Sequence, residues 1–376
     1  MKIVIAPDSF KESLTAKQVC EAIEIGFKKV VTDASYHLIP LADGGEGTVQ
    51  SLIDATDGEL AQLVVTGPLG SPVNAFYGLL GDKRTAVIEM AAASGLMHIE
   101  KLERDPKNTT SYGTGELIKA ALDSGIKRLI IGLGGSATND GGIGMLASLG
   151  ARITDVNGKE VSLTGAGLQY INHIDITGLD KRLEQCEIMI ACDVDNPLCG
   201  PNGASAIFGP QKGASNEDVH LLDAGLLHYS QKVEEQFKLN LKDNAGMGAA
   251  GGLAMSLVAF SNAQMKSGIE LVLNTVKFNK QLEGADLVIT GEGQIDAQTV
   301  HGKTPMGVAQ AAKKFNLPVI AIAGSLGDNY QAVYGCGIDA VFAATPKAMP
   351  LKEALINASE NVSNLAENIA KIWNLK

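Results

Sequence analysis

Apolar residues open the chain in one short unbroken run, "KIVIA" (Lys2–Ala6), closed by Pro7. Such a run, rich in β-branched residues, predicts a strand buried on both faces of a parallel sheet. The period then changes. Val19, Ala22, Ile23, Phe27 and Val30 recur on one face of a helix that starts at Thr15, and Thr15 and Gln18 have capping-box spacing. "YHLIPL" predicts a second strand and "GTVQSLIDAT" a second helix. The last third repeats the alternation: strand "ADLVIT", helix "PMGVAQAAKKF", strand "PVIAIAG", a short helix, strand "IDAVFAA", and a closing helix from about Leu351. Strands alternating with helices predict a parallel sheet covered on both faces.

The middle of the chain has another pattern. "LAQLVVTGPLGSPVNAFYGLLGDKRTAVIEM" reads as strands joined by Gly/Pro/Asp turns, the signature of antiparallel hairpins. From Thr110 to Ala191 follow a helix, a strand, a short helix and further strands. With 376 residues the chain exceeds the usual reach of one core. The predicted fold is α/β with two domains. Residues 1–60 plus 280–376 form a doubly wound parallel-sheet domain, flavodoxin- or Rossmann-like, and residues 61–279 form an inserted mixed α/β domain.

Composition narrows the function. The formal charge of −11 argues against nucleic acid as a partner, because phosphate backbones demand a basic face. It leaves room for a small anionic substrate, which needs only a few local cations. The five cysteines form no CxxC pair and the six histidines no HxxxH or HxxE spacing, so zinc is not predicted and a reduced compartment is. The first apolar run is too short for a signal peptide, and no segment has the length of a membrane helix. A soluble cytoplasmic protein is the expectation.

The 43 glycines cluster rather than repeat. In "IIGLGGSATNDGGIG" (Ile130–Gly144) an apolar strand runs into six glycines mixed with Ser136, Thr138, Asn139 and Asp140. Glycine adds nothing to a core and loses the most freedom on folding, so this much bare backbone suits a ligand that touches peptide N–H groups, such as a phosphate. Gly132-x-Gly134-x-x-Ala137, with Asp155 some way on, also matches a variant dinucleotide fingerprint, which makes a nicotinamide-dependent oxidoreductase the rival reading. A second loop, "GMGAAGG", has Gly246-x-Gly248-x-x-Gly251 but no strand before it, which points to close packing. In the third, "VITGEGQIDAQTVHGKTPMG", a strand ends at Gly291-Glu292-Gly293. "GKT" at Gly302–Thr304 is no Walker A sequence, because Ala297 stands where the first glycine is required. Glu292 and Asp296 with Lys303 suit a magnesium–nucleotide phosphate site. "APDSFKESLTA" sets Asp8, Ser9 and Lys11 after the first strand, and "PLADGGEGT" sets Asp43 and Glu46 after the second. "ACDVDNPLCGPNGASAIFGPQKGA" sets Asp193, Asp195 and Asn196 after strand "EIMIA", with Lys212 further along.

Together these segments resemble the glycerate kinases of the type I bacterial family. "APDSFKESLTA", "PLADGGEGT", "GLGGSATNDGGIGMLASLGA", "CDVDNPLCGPNGASAIFGPQKGA", "GAAGGL" and "DLVITGEGQIDAQTVHGKTPMGVA" stand here in the family's order, from residue 6 to about residue 309. The resemblance implies transfer of the γ-phosphoryl group of ATP to D-glycerate with Mg2+, giving 2-phosphoglycerate, at a site in the cleft between two domains. One position departs: Glu12 stands where the family usually has glycine.

Phosphoryl transfer needs alignment and cations more than covalent help. On that basis Asp193 is the expected base for the acceptor hydroxyl, with Asp296 the alternative. Lys11 and Ser9 are assigned to the glycerate carboxylate or the transferred phosphate, and Asp43 to a substrate hydroxyl. Ser136, Asn139 and Lys212 are expected to bind substrate. Gly134, Gly135, Gly291, Gly293 and Lys303 are expected to hold the nucleotide, and Glu292 and Asp296 the metal. Phosphorylation of the 3-hydroxyl or of another small sugar acid, and a non-catalytic sensor, remain as alternatives. Oligomeric state is not legible.

Overall fold

The computed structural model describes residues 1–375. The chain packs as two units: Met1–Gly58 with the segment from Ser267 onward, and Glu59–Lys266. The pattern had put residues 267–279 in the insert. They belong instead to the first unit, because the helix Gly268–Thr275 packs against the helices Thr304–Lys313 and Thr48–Thr56.

Strands are numbered along the chain. The amino-terminal segment holds β1 (Lys2–Ile5) and β2 (Ser35–Leu38). The middle holds β3 (Glu59–Thr66), β4 (Pro72–Leu79), β5 (Thr85–Glu89), β6 (Arg128–Gly132), β7 (Arg152–Thr154), β8 (His173–Asp175), β9 (Glu187–Ala191) and β10 (Gln264–Lys266). The closing segment holds β11 (Leu287–Ile295), β12 (Val319–Leu326) and β13 (Ala340–Ala343).

In the first unit all five strands are parallel, in the order β13-β12-β11-β1-β2. Taken in chain order within the unit, this is the 2-1-3-4-5 arrangement of flavodoxin-like sheets, whose winding reverses between β1 and β11. The helix Ala16–Lys28 forms where its apolar stripe falls. Its N-cap Thr15 accepts from the Gln18 backbone N–H, and the Gln18 side chain accepts from the Thr15 N–H. Its buried face, with Val19, Ile23 and Phe27, joins Ile3, Ile5, Ile289 and Ile322 of the sheet and Val362, Ala366 and Ile369 of the helix Ala358–Trp373 in one core.

The second unit is built on a six-stranded mixed sheet, β10-β9-β6-β5-β4-β3. The β3–β4 pair is an antiparallel hairpin and β4 is antiparallel to β5, whereas β5, β6, β9 and β10 run parallel. A small β7–β8 pair stands apart from that sheet. Its core gathers Ile88, Leu117, Leu129, Ile131, Met145 and Tyr229, all buried. Among the described residues no helix is long and apolar enough to cross a membrane.

Candidate active site

The reversal point of the first unit's sheet carries its charged chemistry. Asp8 follows β1 directly, and its backbone N–H donates to the Gly291 carbonyl of β11 (2.8 Å). The Asp8 carboxylate accepts from the Ser9 N–H (2.6 Å) and Oγ (3.2 Å) through Oδ1, and from Thr304 Oγ1 (2.6 Å) through Oδ2. Burial, and after it the negative charges of Asp43 and Glu292, push the Asp8 carboxyl up to about 7, against the two kinds of donor that hold it. Glu292 is also raised, by burial first, with Asp43 adding to the effect, while Thr299 and Lys303 oppose it. Its Oε1 accepts from Thr299 Oγ1 (2.7 Å) and its Oε2 lies 3.4 Å from Lys303 Nζ. Asp8 and Glu292 therefore both feel the charge of Asp43, and Lys303 is the cation paired with Glu292.

Asp296 stands outside that group. Its Oδ1 accepts from the Gln298 N–H (2.8 Å) and caps its own turn. Asp43 Oδ1 accepts from the Gly45 N–H (3.1 Å), and Lys11 is exposed. Among the described residues no three His, Cys, Asp or Glu side chains gather tightly enough to cage a metal by themselves. Magnesium at phosphates does not need such a cage, since it keeps waters and takes one or two carboxylates. Hard carboxylate oxygens brought close to one another, as here, suit it.

The third glycine-rich motif is not a loop at its start. β11 runs on through Gly291, Glu292 and Gly293 to Ile295, paired with β12 from Val319 to Leu326. Gly291 is glycine because a side chain there would run into the Ile322 carbonyl of β12. Strand pairing thus already requires that residue. Glu12 adopts φ +65°, the left-handed region that favours glycine, and its side chain is exposed. This accounts physically for a glycine preference at that position.

In the second unit the loop after β6 divides in two. Gly134 and Gly135 are exposed, whereas Ser136, Thr138, Asn139 and Asp140 are buried. Asp140 organises the turn: Oδ2 accepts from the Ser111 N–H (2.8 Å), Ser111 Oγ (2.7 Å) and the Gly144 N–H (3.3 Å), and Oδ1 from the Gly142 N–H (3.1 Å). Burial still raises its pKa. Lys212 is 2% exposed and donates to Ser136 Oγ (2.8 Å) and to the Thr138 carbonyl (2.7 Å). Burial lowers its ammonium to about 7, against the pull of Asp140. Asn139 Nδ2 donates to Ser205 Oγ (3.1 Å), while Asn139 Oδ1 and Thr138 Oγ1 have no hydrogen-bond partner among the described residues.

Asn139 and Lys212, expected at the substrate, are in this structure enclosed among protein groups. The second glycine loop packs against the first: Gly251, at φ +65°, lies where any side chain would meet the Thr138 carbonyl. Asp193 lies exposed beyond β9. Features of the rival dinucleotide reading are taken up otherwise. Asp155 Oδ1 accepts from the Asn157 and Lys159 N–H groups of a tight turn, and the helix after the loop, Ile143–Ser148, is only six residues long. The sequence pattern by itself gives Asp8 no role and does not single out Thr304. The signal available was Asp8's place directly after a buried strand.

A model of the Glycerate kinase family matches residues 3–374. The chain is 55% identical over 370 residues to a glycerate kinase of Bacillus subtilis (strain 168), covering 98% of this chain and 97% of that protein. It is 53% identical over 370 residues to a glycerate 2-kinase of Escherichia coli (strain K12), again covering 98% and 97%. A crystal structure of a candidate glycerate kinase 2 from Salmonella typhimurium LT2 superposes with a TM-score of 0.92 at 53% identity, covering 100% of this chain and 98% of that one. Sequence, fold and motif order agree, and the chain belongs to the glycerate kinase family.

Proposed function

We propose that the chain transfers the γ-phosphoryl group of ATP to the 2-hydroxyl of D-glycerate, giving 2-phosphoglycerate and ADP. Kinship with proteins named glycerate kinase and glycerate 2-kinase supports the reaction class and the substrate. The observation that carries the chemistry is Asp8, a carboxylate at the sheet's reversal point with its pKa raised to about 7. An acceptor hydroxyl must lose its proton as the phosphoryl group arrives, and a base titrating near neutrality does this best. Asp8 is for this reason favoured over Asp193, whose side chain is exposed.

Asp43 and Glu292 are the side chains that would hold magnesium, in preference to Glu292 with Asp296, because Asp43 and Glu292 share one electrostatic neighbourhood. When bound, the ion would neutralise charge on the nucleotide phosphates. Lys303, and Lys11 from the first loop, supply further positive charge. Gly134 and Gly135 of the second unit are exposed, and bare backbone of that kind suits anionic oxygens.

The test is ADP release with D-glycerate present and absent, followed by NMR of the product to separate the 2- from the 3-phosphate. ADP release independent of glycerate, or none at all, refutes the reading. Asp8→Asn should cut turnover about a hundredfold or more. A larger loss in Asp193→Asn than in Asp8→Asn would return the base role to Asp193.

A further inference from the structure

The carboxyl edge of the first unit's sheet bears a partly open recess. Gly293 of β11 and Gly324 and Ser325 of β12 line it, with Phe10 packed beside both glycines. Aliphatic lining comes from Leu351 and Leu355 of the helix Leu351–Ile356 and from Val362 of the helix Ala358–Trp373. Asn361 also lines it, and among the described residues its carboxamide makes no hydrogen bond. Lys11 stands at the same recess.

We propose that this recess takes the adenine ring of ATP. A recess lined by glycine backbone, Phe10 and aliphatic side chains suits a flat aromatic ring, which hides its faces from water and leaves its edge to be read. A carboxamide offers one donor and one acceptor side by side, and this pair matches the amino group and adjacent ring nitrogen of adenine. Guanine presents a carbonyl where adenine presents the amino group. Ser325 adds a hydroxyl to the same lining. Lys11 gives the site a direction, because it both borders the recess and follows Asp8 by three positions. A base held beside Asn361 would thus send its phosphates toward Lys11 and the Asp8 neighbourhood. The location agrees with the general rule that open parallel sheets bind ligands at the carboxyl ends of their strands, near the reversal of winding. The proposal rests on the reading that the chain uses ATP, and the test separates the two.

The experiment uses the full chain and two probes, adenosine and ADP, measured by titration calorimetry, together with the KM for ATP and for D-glycerate. Leu355→Trp fills the recess, and Asn361→Ala removes the edge contact at a half-buried position on a helix surface. Leu355→Trp should weaken adenosine and ADP binding at least tenfold while the D-glycerate KM changes less than about twofold, since filling a pocket acts only on the group it excludes. Asn361→Ala should raise the ATP KM about five- to tenfold and narrow the preference for ATP over GTP, as loss of a shielded hydrogen-bonding pair does. In the unmutated protein adenosine should slow hydrogen exchange in residues 351–362. Unchanged adenosine and ADP affinity in both variants, with glycerate-dependent turnover intact, overturns the adenine site and leaves the kinase reading standing. Adenosine bound at residues 351–362 without any glycerate-dependent ADP release overturns the kinase reading and upholds the site.

Discussion

Replacing Lys212 by methionine isolates what a buried ammonium costs this fold. Nζ has two acceptors, Ser136 Oγ and the Thr138 carbonyl, which a neutral amine with two N–H donors can serve completely. An ammonium brings a third proton into surroundings that penalise charge. The folded-state value of about 7 lies below the ordinary 10.5, so between those limits the unfolded chain binds more protons than the folded one. Stability must therefore rise with pH across that window, and the destabilisation from charging Lys212 is felt in full below pH 7. Integrating the linkage from pH 6 to pH 9 with these two values gives a gain on the order of 2–3 kcal/mol. Lys212→Met removes the gain and leaves two acceptors unpaired, at a pH-independent cost of about 1–3 kcal/mol each. The assay is hydrogen exchange of the core strand Arg128–Gly132 in both proteins at each pH, which cancels every other titrating group and the intrinsic exchange rate. The wild-type advantage should widen by roughly 2–3 kcal/mol from pH 6 to pH 9. An advantage that stays constant, or shrinks, refutes the assignment of a depressed Lys212 and with it the picture of the loop as braced by a neutral amine.

Three further outcomes follow from particular residues. Glu12→Gly relieves a left-handed backbone and should leave thermal stability equal or higher by up to about 1 kcal/mol, whereas Glu12→Val should lower it by about 1 kcal/mol, both read by calorimetry. Gly291→Ala drives a methyl group into the Ile322 carbonyl and should destabilise the first unit by about 2 kcal/mol or more, seen as lost exchange protection in β11 and β12. Asp8 has a raised folded-state pKa, so its protonation contributes stability at low pH that is lost as pH rises through about 7. Activity should run the other way, with kcat/KM rising through the same value and the limb disappearing in Asp8→Asn.

Local pattern decided much of this protein. The strand–helix alternation of both chain ends, the Thr15–Gln18 cap and the hairpin of β3 and β4 follow from periodicity and turn chemistry, which act over a few residues and can be read there. The six ordered motifs sufficed for the family. Acidic residues placed straight after buried strands were legible as candidates, because a parallel sheet presents its chemistry at those ends.

Tertiary structure decided the rest. That β1 lies against β11, from the far end of the chain, is set by long-range strand pairing, and this brings Thr304 to Asp8 and gathers Asp43 and Glu292 around it. Periodicity shows which face of a strand is buried but not which strand lies beside it. Lys212, Asn139 and Asp140 read as polar loop residues in sequence, yet they are interior groups, because burial depends on what the loop meets in space. The glycine at Gly291 likewise answers to a carbonyl on β12 that no local pattern could have disclosed.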